Sequence, residues 1–430
     1  MSLLRHGSWM VVCTTLSGVF MFGVHLFAPS MGAASYGLYM ALLGVINVSL
    51  IPGPGIQTVF AFETARVRTA IERERLASDV RSILGLLTLL WGFGVGFVWW
   101  GQDWILVKLQ MEDARALWAT VLAILPHLWL PVLFGVLQGR QWFGRLGAAV
   151  LGNGVGRFAG VALVLWAMGS RLHWVMAATM VGAVVALVLS IACCKDLFWG
   201  RIQSMRWRVW LMQAAALAMG PGITQFMLSA DSIAARVHFD EVSSGYYGAA
   251  GMLGRGLVMF IGPLAGVIFP LLVRDDSRQR GNQLIKGTAV VTTLIAVVVT
   301  LAAWIGQALL PALLEAFAAA STLPQGVREI LTAKGPKLIQ IAKLAPWFLM
   351  AMAPLALANI YLSHLVARRA FRPIGVLLGV VLGYGSGLAL LSFNPATLIC
   401  WVGLGNVLLL VGAFGLSRRL DSSQTEIARS

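Results

Sequence analysis

The fold is decided by one stretch, ADSIAARVHFDEVSSGYYGAAGMLGRGLVMFIGPLAGVIFPLLVR (residues 230–274). It begins in an apolar helix that contains Asp231 and Arg236, turns at DEVSSG, and enters a second apolar run with Arg255 well inside it. A charge that deep in a hydrophobic span costs at least about 2.5–3.5 kcal/mol, and such charges normally face a cavity or a partner. The stretch therefore predicts two transmembrane helices and a charged residue, Arg255, that faces either a cavity or a partner.

The whole chain has the composition of a membrane protein. Of its 430 residues, 59% are hydrophobic and 11% are charged, whereas a soluble domain has about 25% charged residues. Apolar runs of about 20 residues recur, as in helical membrane proteins, and the alternating segments of about ten residues that mark a transmembrane barrel do not. We therefore predict an all-α integral membrane protein with about twelve transmembrane helices.

Lysine and arginine are unevenly distributed between the predicted loops. Twenty-two of the 32 lie at the termini and in the loops of one side, eight lie on the other side, and Arg157 and Arg255 lie inside spans. Cytoplasmic loops carry the excess of these residues in membrane proteins. Topology rather than nucleic-acid binding therefore explains the net charge of +15, and both termini are predicted to face the cytoplasm.

Matching positions indicate two parallel six-helix repeats, a recurrent architecture of transporters. Gly37 and Tyr39 match Gly245 and Tyr247 at an offset of 208. Further matches, at an offset of 228, pair residues 126, 140, 143 and 147 with residues 354, 368, 371 and 375. The predicted domains are an N-terminal six-helix bundle (1–194), a cytosolic linker (195–208), a C-terminal six-helix bundle (209–416) and a cytosolic tail (417–430).

Two arginines near the middle of predicted spans are the strongest candidate site residues. Arg255 lies 11 residues into its span, about 16 Å below the outer end, and Tyr247 lies on the same face, which we expect to be aromatic and open. Arg157 lies about 14 residues into the fifth span, one turn after Asn153. We interpret these residues, with Arg236, as a substrate-binding set. The alternative is that the arginines are paired and hold helices together.

Two more ionisable residues carry weaker signals. Asp231 is predicted towards the outer end of its span, near water, where it either pairs with Arg236 or Arg255 or acts as a cation-coupling carboxylate. His25 lies in the outer half of the first span and is either a packed residue or a proton-coupling group, because its ordinary pKa is near neutrality. The glycines of GNGVG (152–156) are predicted to let another helix approach closely.

Motifs for nucleotides, metals and cofactors are absent from the sequence. It has no GxxxxGK[ST] phosphate loop and no HExxH pair, and its four cysteines do not have a metal-binding spacing. The predicted outer loops are short, and only residues 311–343 have room for more structure. We therefore predict no catalytic residue, no cofactor and no metal ligand, and a transporter is favoured over an enzyme.

Four phrases of the sequence carry a family resemblance: GAASYGLY (32–39), GVLQGRQWFGRLG (135–147), SSGYYGAAGMLGR (243–255) and IFPLLVR (268–274). With these phrases the chain resembles the polysaccharide flippases of the multidrug/oligosaccharidyl-lipid/polysaccharide exporter superfamily. The resemblance implies a multi-pass protein of the bacterial inner membrane that moves polyprenyl-diphosphate-linked oligosaccharides to the outer leaflet by alternating access. It also implies that basic cavity residues, here Arg157 and Arg255, engage the diphosphate or acidic sugars.

The expected partners follow from that resemblance. They are the lipid-linked oligosaccharide, membrane lipids and further polysaccharide assembly proteins, with H⁺, Na⁺ or the membrane potential as driving force. A cation-coupled multidrug exporter of the same superfamily is an alternative, but it would favour acidic cavity residues in the N-terminal half, where no mid-membrane carboxylate occurs. The sequence also leaves open a non-transporting scaffold and a polytopic polysaccharide polymerase or ligase, although such an enzyme needs a sizeable outer loop.

Overall fold

The computed structural model describes residues 2–201, 203–205, 207–274, 278–319 and 325–427, which form helices and turns without a strand. Residues 202 and 206 of the predicted linker and 428–430 of the predicted tail lie outside this range. The α-helices are α1 (Ser2–Gly23), α2 (Ala28–Met31), α3 (Ala33–Ser49), α4 (Gly53–Arg66), α5 (Ala70–Trp100), α6 (Gln102–Lys108), α7 (Arg115–Gly139), α8 (Phe143–Met168), α9 (Leu172–Cys193), α10 (Trp207–His238), α11 (Glu241–Arg274), α12 (Arg278–Ala319), α13 (Gln325–Ala367), α14 (Phe371–Leu390) and α15 (Pro395–Ile427).

Twelve helical segments of the described chain are long enough to cross a bilayer. Ten qualify by length and apolar composition, and α3 and α4 together count as one of these. The remaining two are α10 and α11, with 32 and 34 residues, against the roughly 20 residues that a hydrocarbon core requires. The prediction of an all-α membrane protein with about twelve spans is confirmed.

The helices group into two compact units. Unit 1 comprises Met1–Gly32 and Leu42–Gly222, and unit 2 comprises Ala33–Ala41 and Ile223–Ser430. The three boundaries fall just before α3, inside α3 and inside α10, and the last of them directly follows the Pro-Gly pair at 221–222. The predicted domains follow the sequence repeat rather than packing, and they stay a prediction.

In unit 1, the first half of α10 packs with α4, α5 and α7. Trp210 and Ala214 of α10 lie in one apolar cluster with Phe60 of α4, and the rings of Phe60 and Trp210 are 5.6 Å apart. The close approach requires a glycine, because a Cβ atom on Gly55 would overlap the carbonyl oxygen of Ala214. This stretch of α10 is therefore anchored in unit 1 by packing.

In unit 2, the first turns of α3 cross the start of α11 at the repeat-matched glycines. A Cβ atom on Gly37 would lie 2.7 Å from the backbone nitrogen of Gly245, and one on Gly245 would overlap the carbonyl oxygen of Ala33. Tyr39 and Tyr247, two residues further along each helix, are buried. The repeated Gly-x-Tyr sequence therefore builds a crossing in which each helix supplies one glycine and one buried tyrosine.

The ends of α7 and α13 show the repeat in backbone geometry. Gln141 and Arg369 have positive φ angles of 58° and 53°, which are uncommon outside glycine. In each turn the N–H of the positive-φ residue donates to the carbonyl three residues before it. The N–H of the following residue donates to the carbonyl five residues before it, as in a Schellman cap. The two caps are 228 residues apart, the same offset as the sequence matches around them.

Two arginines hold the segment after α9 on unit 1. Arg140 donates to both carboxylate oxygens of Asp196, at 3.0 and 2.6 Å, and Arg73 donates to Oδ2 at 2.9 Å. Burial raises the pKa of Asp196, but the hydrogen bonds from Arg140 and Arg73 outweigh it and leave the pKa below its ordinary value. The cluster therefore favours the ionised carboxylate, and with it the folded position of this segment.

This cluster predicts that stability falls in acid. Because the folded pKa of Asp196 is lowered, its contribution is present above the ordinary value of 3.8 and is lost as pH falls through the folded pKa. We expect Asp196→Asn to cost about 1 kcal/mol at pH 7 and to flatten the decline below about pH 4. Tryptophan-fluorescence melts from pH 7 to 3 measure this, with Asp103→Asn, an exposed carboxylate, as the control. Equal acid slopes in wild type and Asp196→Asn would contradict the assignment.

Candidate functional site

A buried ion pair joins α10 to α11 in unit 2. Nη2 of Arg255 lies 2.7 Å from Oδ2 of Asp231, and the side chains are 7% and 0% exposed. The hydroxyl of Tyr247 donates to the same Oδ2 at 3.0 Å, and Nε of Arg255 donates to the carbonyl of Leu228 at 2.8 Å. One carboxylate oxygen thus accepts from two donors, and the arginine is bound at two of its nitrogens.

The helical spacing explains how these groups meet. Tyr247, Gly251 and Arg255 are four residues apart, so they lie on one face of α11. A Cβ atom on Gly251 would lie 2.7 Å from Nη1 of Arg255, so the glycine makes room for the guanidinium against the helix. Phe348 of α13 covers this face, with its ring 4.6 Å from that of Tyr247. The pair is therefore enclosed by aromatic side chains.

Three polar atoms around the pair have no hydrogen-bond partner within the described residues. They are Oδ1 of Asp231, Nη1 of Arg255 and the hydroxyl of Tyr384, and all are buried. Tyr384 of α14 is close enough to Asp231 for the two to interact electrostatically. Most buried polar groups in folded proteins are hydrogen-bonded. The cluster therefore contains buried acceptor and donor capacity that the described residues leave unused.

Two expectations about these residues are wrong. Asp231 was expected near water, but it is fully buried, because the enclosing helices cover it and Arg255 neutralises it. The face of α11 around Arg255 was expected to be open, but Phe348 packs against it. Of the two pairing partners considered for Asp231, the structure selects Arg255 rather than Arg236. Whether Arg255 and Tyr247 contact substrate stays a prediction.

Arg236 lies in a separate buried junction. It is 2% exposed, and Nη1 donates to the hydroxyl of Ser244 at 3.3 Å and to the carbonyl of Ala34 at 3.5 Å. Nη2 lies 3.3 Å from the half-exposed carboxylate of Glu241. In this structure Arg236 joins α10, α11 and the first turn of α3, and its predicted contact with substrate stays a prediction.

Asn153, Arg157 and His25 belong to unit 1. Asn153 and Arg157 are one turn apart on α8, and both are partly buried. His25 lies in the short turn after α1, 6.0 Å from the ring of Phe22. The roles predicted for these residues in substrate binding and ion coupling stay predictions.

Glycines of the GNGVG stretch (152–156) in α8 provide close packing, as predicted. A Cβ atom on Gly156 would lie 2.9 Å from the Cα atom of Gly182 on α9, and one on Gly154 would lie 2.6 Å from the carbonyl oxygen of Ser17 on α1. Side chains at these positions would separate the three helices. The packing fixes the backbone that carries Asn153.

Sequence reasoning missed two residues of the buried cluster, Phe348 and Tyr384. Phe348 lies in APWFLMAMAP (345–354), where nothing distinguishes one apolar residue from its neighbours. Tyr384 lies in GVVLGYGSG (379–387), and a tyrosine hydroxyl inside an apolar span was a usable signal, because it normally needs a partner.

The comparisons with known proteins identify the fold. No protein-family profile and no curated protein sequence matches this chain. A structure of the lipid II flippase MurJ in an inward closed conformation is similar over 94% of this chain and 86% of its own, with a TM-score of 0.67 and 11% identity. Inward- and outward-facing structures of a multidrug resistance MATE family transporter of the MOP superfamily have TM-scores of 0.58 and 0.59, at 15% and 12% identity. They cover 96% and 98% of this chain and 96% of their own. The chain therefore has the twelve-helix fold of the MOP superfamily transporters.

Proposed function

We propose that this protein translocates a polyprenyl-diphosphate-linked oligosaccharide from the inner to the outer leaflet of the bacterial inner membrane for polysaccharide biosynthesis. Alternating access moves the substrate, and both termini face the cytoplasm. The fold likeness to the lipid II flippase, which exceeds the likeness to the MATE structures, is the observation that carries the proposal. Further polysaccharide assembly proteins are the expected partners.

The charges inside the spans support an anionic substrate. Asp231 is neutralised by Arg255, and Arg157 adds a further positive charge near the middle of α8. An arginine presents several N–H donors in a planar fork that suits phosphate oxygens. We assign Arg157, together with Asn153, to contact with the diphosphate, while the polyprenyl tail stays in lipid.

The ion pair provides a means of coupling. Removing one partner of a buried pair costs about 3–5 kcal/mol, so Arg255 engages the diphosphate only when something else compensates Asp231. A proton or Na⁺ on Asp231 would do so. In this mechanism a cation on Asp231 and an anion on Arg255 replace the internal pair together, which links the cation gradient to movement of the substrate. Tyr247, the second donor to the carboxylate of Asp231, keeps its hydrogen bond when Arg255 leaves.

Proteoliposomes that contain a polyprenyl-diphosphate oligosaccharide test the function. We expect the wild-type chain to move the glycan across the bilayer, measured as its accessibility to an added glycosidase. Arg157→Ala is expected to lower the initial rate at least ten-fold, because the diphosphate loses its mid-membrane counter-charge. Arg171→Ala, which removes an exposed arginine outside the spans, is the control. A wild-type rate in Arg157→Ala would refute the assignment of this residue.

A multidrug exporter is the second candidate. The MATE structures share the fold over nearly the whole chain, and Asp231 is a buried carboxylate that would suit a cationic drug. The same proteoliposomes distinguish the two functions, with a fluorescent lipophilic cation as the probe. Gradient-driven movement of the cation that Asp231→Asn abolishes, without movement of the glycan, would replace the flippase proposal by this one.

A further inference from the structure

Unit 1 has a groove on its surface, and none of the residues that line it belongs to the candidate site described above. The groove has a volume of about 790 Å³, within the range of about 300–1,000 Å³ that is usual for small-molecule sites. Its floor and rims are mainly α5, and Trp129 of α7 and Phe198, after α9, complete the wall. The lining is almost entirely apolar, with one charged residue, Arg81.

Glycines open this groove. Gly85 and Gly92 line it, and a Cβ atom on either would meet nothing within 4 Å. They are therefore not required for packing against any described part of this chain, unlike Gly154 and Gly156 of α8. Glycine is less favourable than alanine inside a helix. Because neither position carries a side chain, the surface of α5 stays open along the groove.

The length of the groove matches one leaflet of a membrane. It extends along α5 from Arg81 to Phe93, which is about 18 Å at the helical rise. Half of a bilayer core of about 30 Å is about 15 Å. Arg81 lies at the end of the groove that is nearer to the predicted cytoplasmic side. The groove thus has the length of an acyl chain whose headgroup lies at Arg81.

Arg81 is positioned for an anionic headgroup. Its Nη1 donates to the carbonyls of Leu197 and Trp199 at 2.7 and 2.6 Å, and Nη2 donates to the carbonyl of Arg201 at 2.8 Å. Nη2 has a second N–H, and among the described residues no carboxylate lies within salt-bridge distance of Arg81. The carbonyls fix the guanidinium without neutralising its charge. A phosphate is the chemical complement of such a group.

From this geometry we propose that the groove binds an anionic phospholipid of the cytoplasmic leaflet, with an acyl chain along Gly85 and Gly92 and the phosphate at Arg81. A second copy of the chain is the competing occupant, because Gly92 and Gly96 have the spacing of a helix-dimerisation face. The exposed side chains of Leu89 and Phe93 would keep a second helix backbone away. A flexible acyl chain passes between them.

Native mass spectrometry of the full-length chain tests the proposal, with phosphatidylglycerol and phosphatidylcholine as probes. We expect the wild type to retain phosphatidylglycerol at least ten-fold more than phosphatidylcholine. The double variant Gly85→Leu/Gly92→Leu fills the groove and is expected to lower retained phosphatidylglycerol at least ten-fold. Gly94→Leu is the matched control on the same helix, since Gly94 is also open but does not line the groove. Arg81→Gln is expected to remove the preference between the two lipids.

Three outcomes would overturn the proposal. One is equal retention of the two lipids by the wild type, and another is undiminished retention of phosphatidylglycerol by the double variant. The third is a wild-type dimer that the double variant dissociates, which would assign the groove to a second copy. The glycine variants keep the test valid if Arg81→Gln fails to fold. Glycan translocation is a separate measurement, so either proposal can fail without the other.

Discussion

Arg255→Leu is expected to lower the free energy of unfolding by about 3–5 kcal/mol, because it leaves the carboxylate of Asp231 as an uncompensated buried charge. Only Tyr247 would still donate to that carboxylate. The measurement is the midpoint of unfolding in detergent, followed by tryptophan fluorescence during heating and during titration with a denaturing detergent.

The double variant Asp231→Asn/Arg255→Leu separates charge from packing. It removes both charges together, and replacing a buried pair by neutral groups is often close to neutral. We therefore expect it to recover most of the lost stability. Arg171→Leu, at an exposed arginine outside the spans, should stay near the wild-type midpoint. A double variant as unstable as Arg255→Leu would show that the pair does not control stability.

Gly245→Val is expected to cost about 3 kcal/mol, at the upper end for overpacking. Its Cβ atom would overlap the carbonyl oxygen of Ala33, a backbone atom that moves only if the first turn of α3 moves. The crossing of α3 and α11 would then open next to Tyr247. Folded yield and the same unfolding midpoint measure the effect.

Two further glycines of the chain supply the controls for Gly245→Val. Gly37→Val is expected to act in the same direction, because its Cβ atom would meet the backbone of Gly245 at 2.7 Å. Gly375 of α14 has open space around it, so Gly375→Val should change the midpoint little. If Gly245→Val and Gly375→Val behave alike, the close crossing does not contribute to stability.

Much of the fold was predictable because insertion of a helix into a membrane depends on the length and the apolar character of a local stretch of sequence. The hydrocarbon core requires about 20 apolar residues per helix, so the apolar runs gave the number of helices. The offset of 228 residues between repeats reappears in the backbone as paired caps at Gln141 and Arg369. Neither cap contains glycine at its positive-φ residue, so composition alone would not have located them.

The candidate site was only partly predictable. A charge in an apolar span is conspicuous, which singled out Asp231 and Arg255. Burial is a property of neighbours distant in the sequence, so the enclosure by Phe348 and Tyr384, on α13 and α14, could not be read from α10 and α11. For the same reason the burial of Asp231 could not be read from its position along one helix.

By itself, the sequence determined the membrane class, the number of spans, the uneven distribution of positive charge and the presence of charges inside spans, because each depends on local composition. Tertiary structure alone decided which charges meet. It paired Asp231 with Arg255 rather than Arg236, left Gly85 and Gly92 open along the groove that begins at Arg81, and closed Gly245 against Ala33. Residues of the same type therefore have different surroundings: one glycine is open and another is closely packed. The neighbouring helices decide this, and their packing is set by contacts between residues far apart in the chain.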